Sequence, residues 1–408
     1  MDYIVVTVAQ ASGLDEADDR ASLPVAYFEV NTELWKLWDA PTGVRVAGEI
    51  GASWTFPNVV VGVVAAARSV ELWLINPAEQ MRLADIERWA IVEFTTSVEW
   101  TDTVAAVAVL AQIDPGGWTR TDVDRVFHAV GWGREEENDE SGTAKGGSGT
   151  ASLHAFRASD YQRRYGYGEF EGMWLTADLP EEVLDLAYSD LLAECVRILG
   201  TPSYVGGPKA FATWRRDTTT LTLSRSALLG VEVDLYPTEA KENEEYSNAK
   251  WDECWEPSDL WRIRPDRTSS RADLDGMWFP SDRKVTDWES FDRNVQRLFT
   301  SLAADMPVLH PHATSIIWVI VSADEQILAA QGWFEATRSR VETKNGDELE
   351  FRDFPPGPAA AEEIVKLTQA AVRTVAETPD GLRYYAFAPS TPQALMDFRL
   401  GLADSVNR

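Results

Sequence analysis

The residues best suited to acid–base or metal chemistry are few: four histidines, His128, His154, His310 and His312, and two cysteines, Cys195 and Cys254. His310-Pro311-His312 puts two imidazoles on one extended segment, and Asp305 could add the third ligand that a zinc centre requires. The intervening proline, and the lack of a Cys or carboxylate motif beside the pair, point instead to a solvated loop. His128, next to Phe127 in a helical stretch, reads as a partly buried residue rather than a base. Cys254 lies in Trp251-Asp252-Glu253-Cys254-Trp255-Glu256, where the neighbouring carboxylates disfavour the thiolate that a nucleophile needs. Gly166-Tyr167-Gly168-Glu169-Phe170-Glu171-Gly172 has the glycines of a phosphate loop but no lysine and two acids, so it reads as turns. Paired carboxylates such as Glu242, Glu244 and Glu245, or Glu135 to Glu137, have the types a glycosidase uses, but acids are too abundant here for any pair to stand out. No nucleophile-elbow sequence anchors a Ser-His-Asp set. The expectation is no catalytic residue, no cofactor-binding residue and no metal ligand.

Charge is more informative. Among 408 residues, 37 Lys and Arg stand against 66 Asp and Glu, a formal charge of −29. Such a field repels nucleic acid and anionic membrane surfaces and attracts basic partners. The longest apolar-leaning runs, Val59 to Ala67 and Val104 to Ile113, are shorter than the ~18 to 20 residues of a membrane helix. Met1 to Gln10 lacks a basic n-region and a long apolar h-region, so export by the usual signal route is not expected. Two cysteines are too few for a disulfide framework, which fits a reducing cytoplasm.

Seventeen tryptophans are the other unusual feature. Trp and Tyr are costly unless buried in a core or used as interface anchors. They are dense in Tyr246 to Trp261, YSNAKWDECWEPSDLW, where aromatics alternate with acids. Tyr246, Trp251, Trp255 and Trp261, with Glu253 and Glu256, are therefore the candidate partner-binding residues. The competing reading is that these tryptophans fill the seam between the middle and C-terminal regions.

The elements that must position these groups divide into three regions, predicted as an α+β protein of three small domains, each an antiparallel sheet packed on one or two helices. Residues 1–100 read as mainly β, with strand-like runs at Tyr3–Val8, Val25–Val30, Val44–Ile50, Asn58–Val64, Val70–Ile75 and Ala90–Phe94, and a short helix between Pro77 and Trp89. Residues 101–266 form an α+β middle domain. Its helices are predicted over Val104–Ile113, after Thr119, and over Leu179–Gly200. A Gly206-Gly207 turn precedes strands at Phe211–Trp214, Thr218–Ser224 and Leu229–Tyr236, and a mobile loop is expected at 133–152, which is acidic and Gly/Ser-rich. An interdomain boundary is expected at Arg264–Ala272. Residues 273–408 begin with a helix carrying Trp288, Phe291, Val295, Leu298, Phe299 and Leu302 on one face. A hairpin of Ser315–Ser322 and Gln326–Phe334 follows, then a helix over Ala359–Glu377 and a strand at Tyr384–Phe387.

The last third also resembles the actinobacterial type III secretion chaperone/YbjN-like peptide-binding (TY-Chap) domain. The matching residues are Asp287-Trp288-Glu289-Ser290-Phe291, Gln331-Gly332-Trp333, Phe351-Arg352-Asp353-Phe354-Pro355, Ala371 to Val375, Leu382 to Phe387 and Leu400-Gly401-Leu402. The middle region resembles an uncharacterised actinobacterial immunity-like family through Trp118-Thr119, Asp122-Val123, Gly131-Trp132, Leu199-Gly200-Thr201-Pro202, Trp214-Arg215 and Leu221-Thr222-Leu223. These resemblances imply domains that hold other polypeptides in bacterial conflict or secretion systems.

The expected function is thus a cytoplasmic, non-enzymatic binder, an immunity or chaperone-like factor that occludes a basic toxin or secreted effector. The alternatives are a hydrolase using a carboxylate pair and a structural subunit of a larger assembly.

Overall fold

In the computed structural model the chain is an α+β protein built on three sheets. The structure describes residues 3–10, 30, 34, 37, 43–46, 49–56, 59–66, 69–75, 97–138, 141–146, 151–226, 230–250, 260–264, 285–310, 312–324, 327–336, 338–345, 348–354, 357–389 and 395–404.

The first sheet contains β1 (Tyr3–Gln10), β2 (Gly43–Val46), β3 (Glu49–Phe56), β4 (Val59–Ala66) and β5 (Ser69–Ile75). Strands β2 to β5 run as an antiparallel meander, and β1 pairs with the far edge of β5. The expected single strand at Val44–Ile50 is in fact divided between β2 and β3, which pair antiparallel through Arg45–Ile50 and Val46–Glu49. Except for Val30, the run at 25–30 lies outside the described residues, as do the helix at 77–89 and the strand at 90–94.

Helix α1 (Val98–Gln112) starts six residues before the apolar run that predicts it, because the Ser97 hydroxyl accepts the Trp100 N–H and caps the helix there. Helix α2 (Arg120–Val130) opens with a reciprocal Thr119–Asp122 capping box and closes at Gly131 in the left-handed conformation, φ 78°. The second sheet then begins with β6 (Gly133–Asn138), β7 (Ser141–Lys145) and β8 (Ala151–Arg157). The 133–152 stretch, expected as a loop, therefore carries strands. Backbone pairing of β7 to β8 and β6 to β7 organises residues that have no apolar alternation of their own.

After a short α3 (Asp160–Arg163) come β9 (Phe170–Ala177), α4 (Glu181–Leu199), β10 (Tyr204–Gly207), β11 (Phe211–Arg215), β12 (Thr219–Ser226), β13 (Gly230–Pro237), α5 (Thr238–Lys250) and β14 (Trp261–Arg264). Gly206-Gly207, expected as a turn, closes β10 instead. Leu153, Leu175, Leu221, Leu223, Val231, Val233 and Leu235 alternate inward on this sheet, against α4 with its buried Leu184, Leu191 and Cys195.

Helix α6 (Trp288–Leu309) is capped by Asp287, whose carboxylate accepts the Ser290 N–H at 2.8 Å. The third sheet has β15 (Ser315–Ser322), β16 (Leu328–Glu335), β17 (Ser339–Asn345) and β18 (Glu348–Phe354) and, after α7 (Pro358–Val375), β19 (Leu382–Phe387) and β21 (Ala403–Asp404), with β20 (Leu395–Phe398) between these two in the chain. Its order is β18-β17-β16-β15-β19-β21, antiparallel except for the last pair. Phe299 of α6 packs its ring 4.7 Å from Trp318 and 5.4 Å from Phe334, and α7 lies beside it on the same face.

Strand β20 does not join this third sheet. It pairs with β14 at the end of the second, whose order is β20-β14-β10-β11-β12-β13-β9-β8-β7-β6. One apolar core, from Trp100 to Leu402, accordingly runs through the middle and C-terminal regions. No helix among the described residues is long and apolar enough to cross a membrane.

Candidate partner-binding faces

Of the six residues expected to bind a partner, Trp261 is placed most definitely. It is fully buried in β14, so it is corrected from surface anchor to seam residue. Its Nε1 donates to the Ser301 hydroxyl at 2.9 Å, and Ser301 donates to Asp305 Oδ2 at 2.7 Å. The other Asp305 oxygen accepts the Ala210 N–H at 2.9 Å and lies 3.5 Å from Arg225, which also pairs with Asp185. Lys209 and Ala210 have φ of 71° and 28°, a conformation unfavourable to side chains, and the carboxylate from α6 holds them in it. Burial pushes the Asp305 carboxyl up to about 6 despite the Ser301, Arg225 and Ala210 contacts that favour its ionised form. Asp305 is thus committed to the seam rather than to a metal site with His310 and His312.

Tyr246 lies on α5, but its side chain is outside the described residues, as are Trp251, Glu253, Trp255, Glu256 and Cys254.

A different surface presents aromatic groups. The helices cover one face of the third sheet, through Trp318, Phe334, Val341 and Phe354. The register places Phe387, Ile317, Trp333, Arg340 and Asp353 in one row across the opposite face, with Phe351 and Leu349 further along β18. Here Phe351 is 61% exposed, Leu349 54% and Phe387 45%. The Arg340 guanidinium sits 4.6 Å from the Trp333 ring centre and 4.7 Å from that of Phe351, fixed by two bonds to Asp353 of 2.6 and 2.7 Å. Such a clamp holds the aromatic rings in position before any partner arrives.

The second sheet has a polar and aromatic face opposite α4. Pairing of β13 with β9, and of β9 with β8, lines up Asp234, Trp174 and His154, with Thr222 on the other side of Asp234. Phe156, 43% exposed, meets Trp174 edge-on at 4.6 Å, and Trp174 meets Tyr236 edge-on at 5.4 Å. Gly172 is needed here because the Tyr236 ring lies over it, 2.8 Å from where a Cβ would be. His154 bonds Ser152 at 2.8 Å and Thr143 at 3.2 Å; burial and the nearby Lys145 lower its pKa. Asp234 is partly exposed as a residue, yet its Oδ1 is shut off from solvent without a hydrogen-bond partner. Burial, and then the charge of Glu232, push this carboxyl up to about 7.

Residues 1–76 match the Family of unknown function (DUF6301). That span covers the first sheet and neither of the faces above. Comparison with curated proteins and with solved structures found no match.

The other groups with chemical potential are in structural use. Glu242 is buried beside Arg215 at 3.6 Å, and Glu244 accepts the Tyr167 hydroxyl at 2.7 Å, which ties α5 to the turn before β9. In the Gly166–Gly172 stretch, Gly168 allows the backbone to touch that of Gly117 and Trp118, where the Phe170 N–H donates to the Trp118 carbonyl at 3.1 Å. Cys195 is buried in the core, and burial pushes its thiol up to about 12. Among the described residues no three His, Cys, Asp or Glu side chains are arranged to hold a metal ion.

Sequence reasoning missed both faces. The signal for the first was the pattern Leu349, Phe351, Asp353, which alternates apolar residues outward on a strand. The signal for the second was the alternation of Glu232, Asp234 and Tyr236 with buried Val and Leu.

Proposed function

We propose that this protein is a non-enzymatic factor that binds another polypeptide, with the outer face of the third sheet as its contact surface. The observation that carries the reading is one sheet face on which Phe351 and Leu349 on β18 and Phe387 on β19 are exposed, with the Arg340-clamped Trp333 on the strands between them. Large apolar side chains grouped on a sheet face and rimmed by charges mark a recognition surface. The acidic excess selects a basic partner and speeds its approach. An immunity or chaperone role in the cytoplasm, occluding a basic toxin or secreted effector, is the biological setting we propose for that binding.

The test is capture of proteins from source cells with the tagged full chain at low and moderate salt, beside the double variant Phe351→Ser, Phe387→Ser. The reading expects one basic protein in stoichiometric amount, held less well as salt rises and lost with the variant. A partner retained equally by a folded variant would move the contact off this face, and no partner under either condition would count against stable binding.

A further inference from the structure

An unsatisfied carboxylate oxygen inside a protein is costly, because the group has given up its water for nothing. Asp234 Oδ1 is in that position, with Trp174 beside it on β9 and Tyr236 two residues along on the same face of β13. The surrounding charge is negative. Glu232 lies on the same face, and Glu171 and Glu244 act on Tyr236 from nearby, against Lys241 on α5. An anion would be repelled here, and with no three-ligand cluster among the described residues a metal ion would have too few donors.

The rings favour a cation as well. Trp174 and Tyr236 stand at 88° to each other beside the carboxylate, and aromatic faces attract cations. Lys241 already places its ammonium 4.8 Å from the Tyr236 ring centre. Elsewhere on the same sheet the guanidinium of Arg262 stacks 4.4 Å over Tyr204. A guanidinium suits this corner better than an ammonium does. It is planar enough to lie on a ring, is weakly hydrated, and its forked donors reach a carboxylate while it stacks.

We propose that Asp234, Trp174 and Tyr236 form a binding site for a guanidinium group, supplied by an arginine side chain of a bound polypeptide. The source of the arginine rests on the polypeptide-binding reading, whereas the chemistry of the site does not.

The experiment titrates the full chain at pH 8, where Asp234 is mostly ionised, with a capped peptide carrying one arginine, its lysine counterpart, and agmatine as a small guanidinium probe. Calorimetry and tryptophan fluorescence follow binding up to about 10 mM, the range expected for one charged side chain. The arginine peptide and agmatine are expected to bind saturably and the lysine peptide several-fold more weakly. Asp234→Asn should lose about tenfold in affinity with circular dichroism unchanged. Agmatine binding without the peptide would confirm the guanidinium chemistry but overturn its arginine source. No saturable binding of either probe, or equal binding by folded Asp234→Asn, would overturn the site. Capture of a partner through Phe351 and Phe387 would be unaffected by that failure, and loss of that capture would leave agmatine binding in place.

Discussion

Trp261 and Asp234 show how far residue type alone can mislead about role. Trp261 belongs to the aromatic-rich stretch that reads as an interface, and its neighbours in sequence could not reveal that Ser301, forty residues on, accepts its indole N–H. Trp261→Ala should cost about 3 to 5 kcal/mol in denaturant unfolding, the range for removing a fully buried large aromatic side chain; a loss below about 1 kcal/mol would contradict its place in the seam. Gly207→Ala should destabilise by at least ~1 to 3 kcal/mol, since its Cβ would fall on Asp305, Ser301 and the Trp261 indole. The alternation in β13 made Asp234 legible as an outward residue, but the burial of its Oδ1 arises from the packing around it. Its folded-state pKa of about 7 lies above the unfolded value of ~3.9, so ionisation opposes folding. Stability relative to Asp234→Asn is therefore greatest at low pH and is lost as pH rises from about 4 through 7. Melting temperatures of both proteins between pH 5 and 8 check this; a difference that stays flat or changes the other way would show that Asp234 titrates normally.

At the scale of elements, the sequence was most legible where one periodicity governs a long segment. Helices α4, α6 and α7 and the β15–β16 hairpin fall close to their expected positions, since each has a full apolar stripe or an unbroken apolar run. Strands β6 and β7 were missed because they carry no apolar alternation of their own: β7 is a strand through its pairing with β8, and β6 through its pairing with β7. Strand β20 was missed for a related reason. It is only four residues long and owes its place to β14, far away in the sequence. Truncation before Leu395 should expose the β14 edge, and hydrogen exchange at 261–264 should accelerate well beyond that at 221–235. Equal protection in both chains would mean that β20 contributes little to the sheet.

For the molecule as a whole, the shared core and the β14–β20 pairing join the middle and C-terminal regions, while the boundary expected at 264–272 falls, after Arg264, on residues outside those described. The α+β class was legible from the elements, but the sheet faces that present aromatic groups required the strand register. In the proposed binding, the overall charge of −29 would supply attraction at a distance and the exposed aromatic groups of the third sheet the contact. Raising salt should therefore slow association more than it speeds dissociation, a division that stopped-flow or surface-based kinetics would resolve. The most direct test of the account is the affinity of the captured partner, measured by calorimetry, for the wild-type chain and for Phe351→Ser, Phe387→Ser. The account predicts a loss of at least about tenfold in a variant with unchanged circular dichroism. The same affinity for both folded proteins would contradict it.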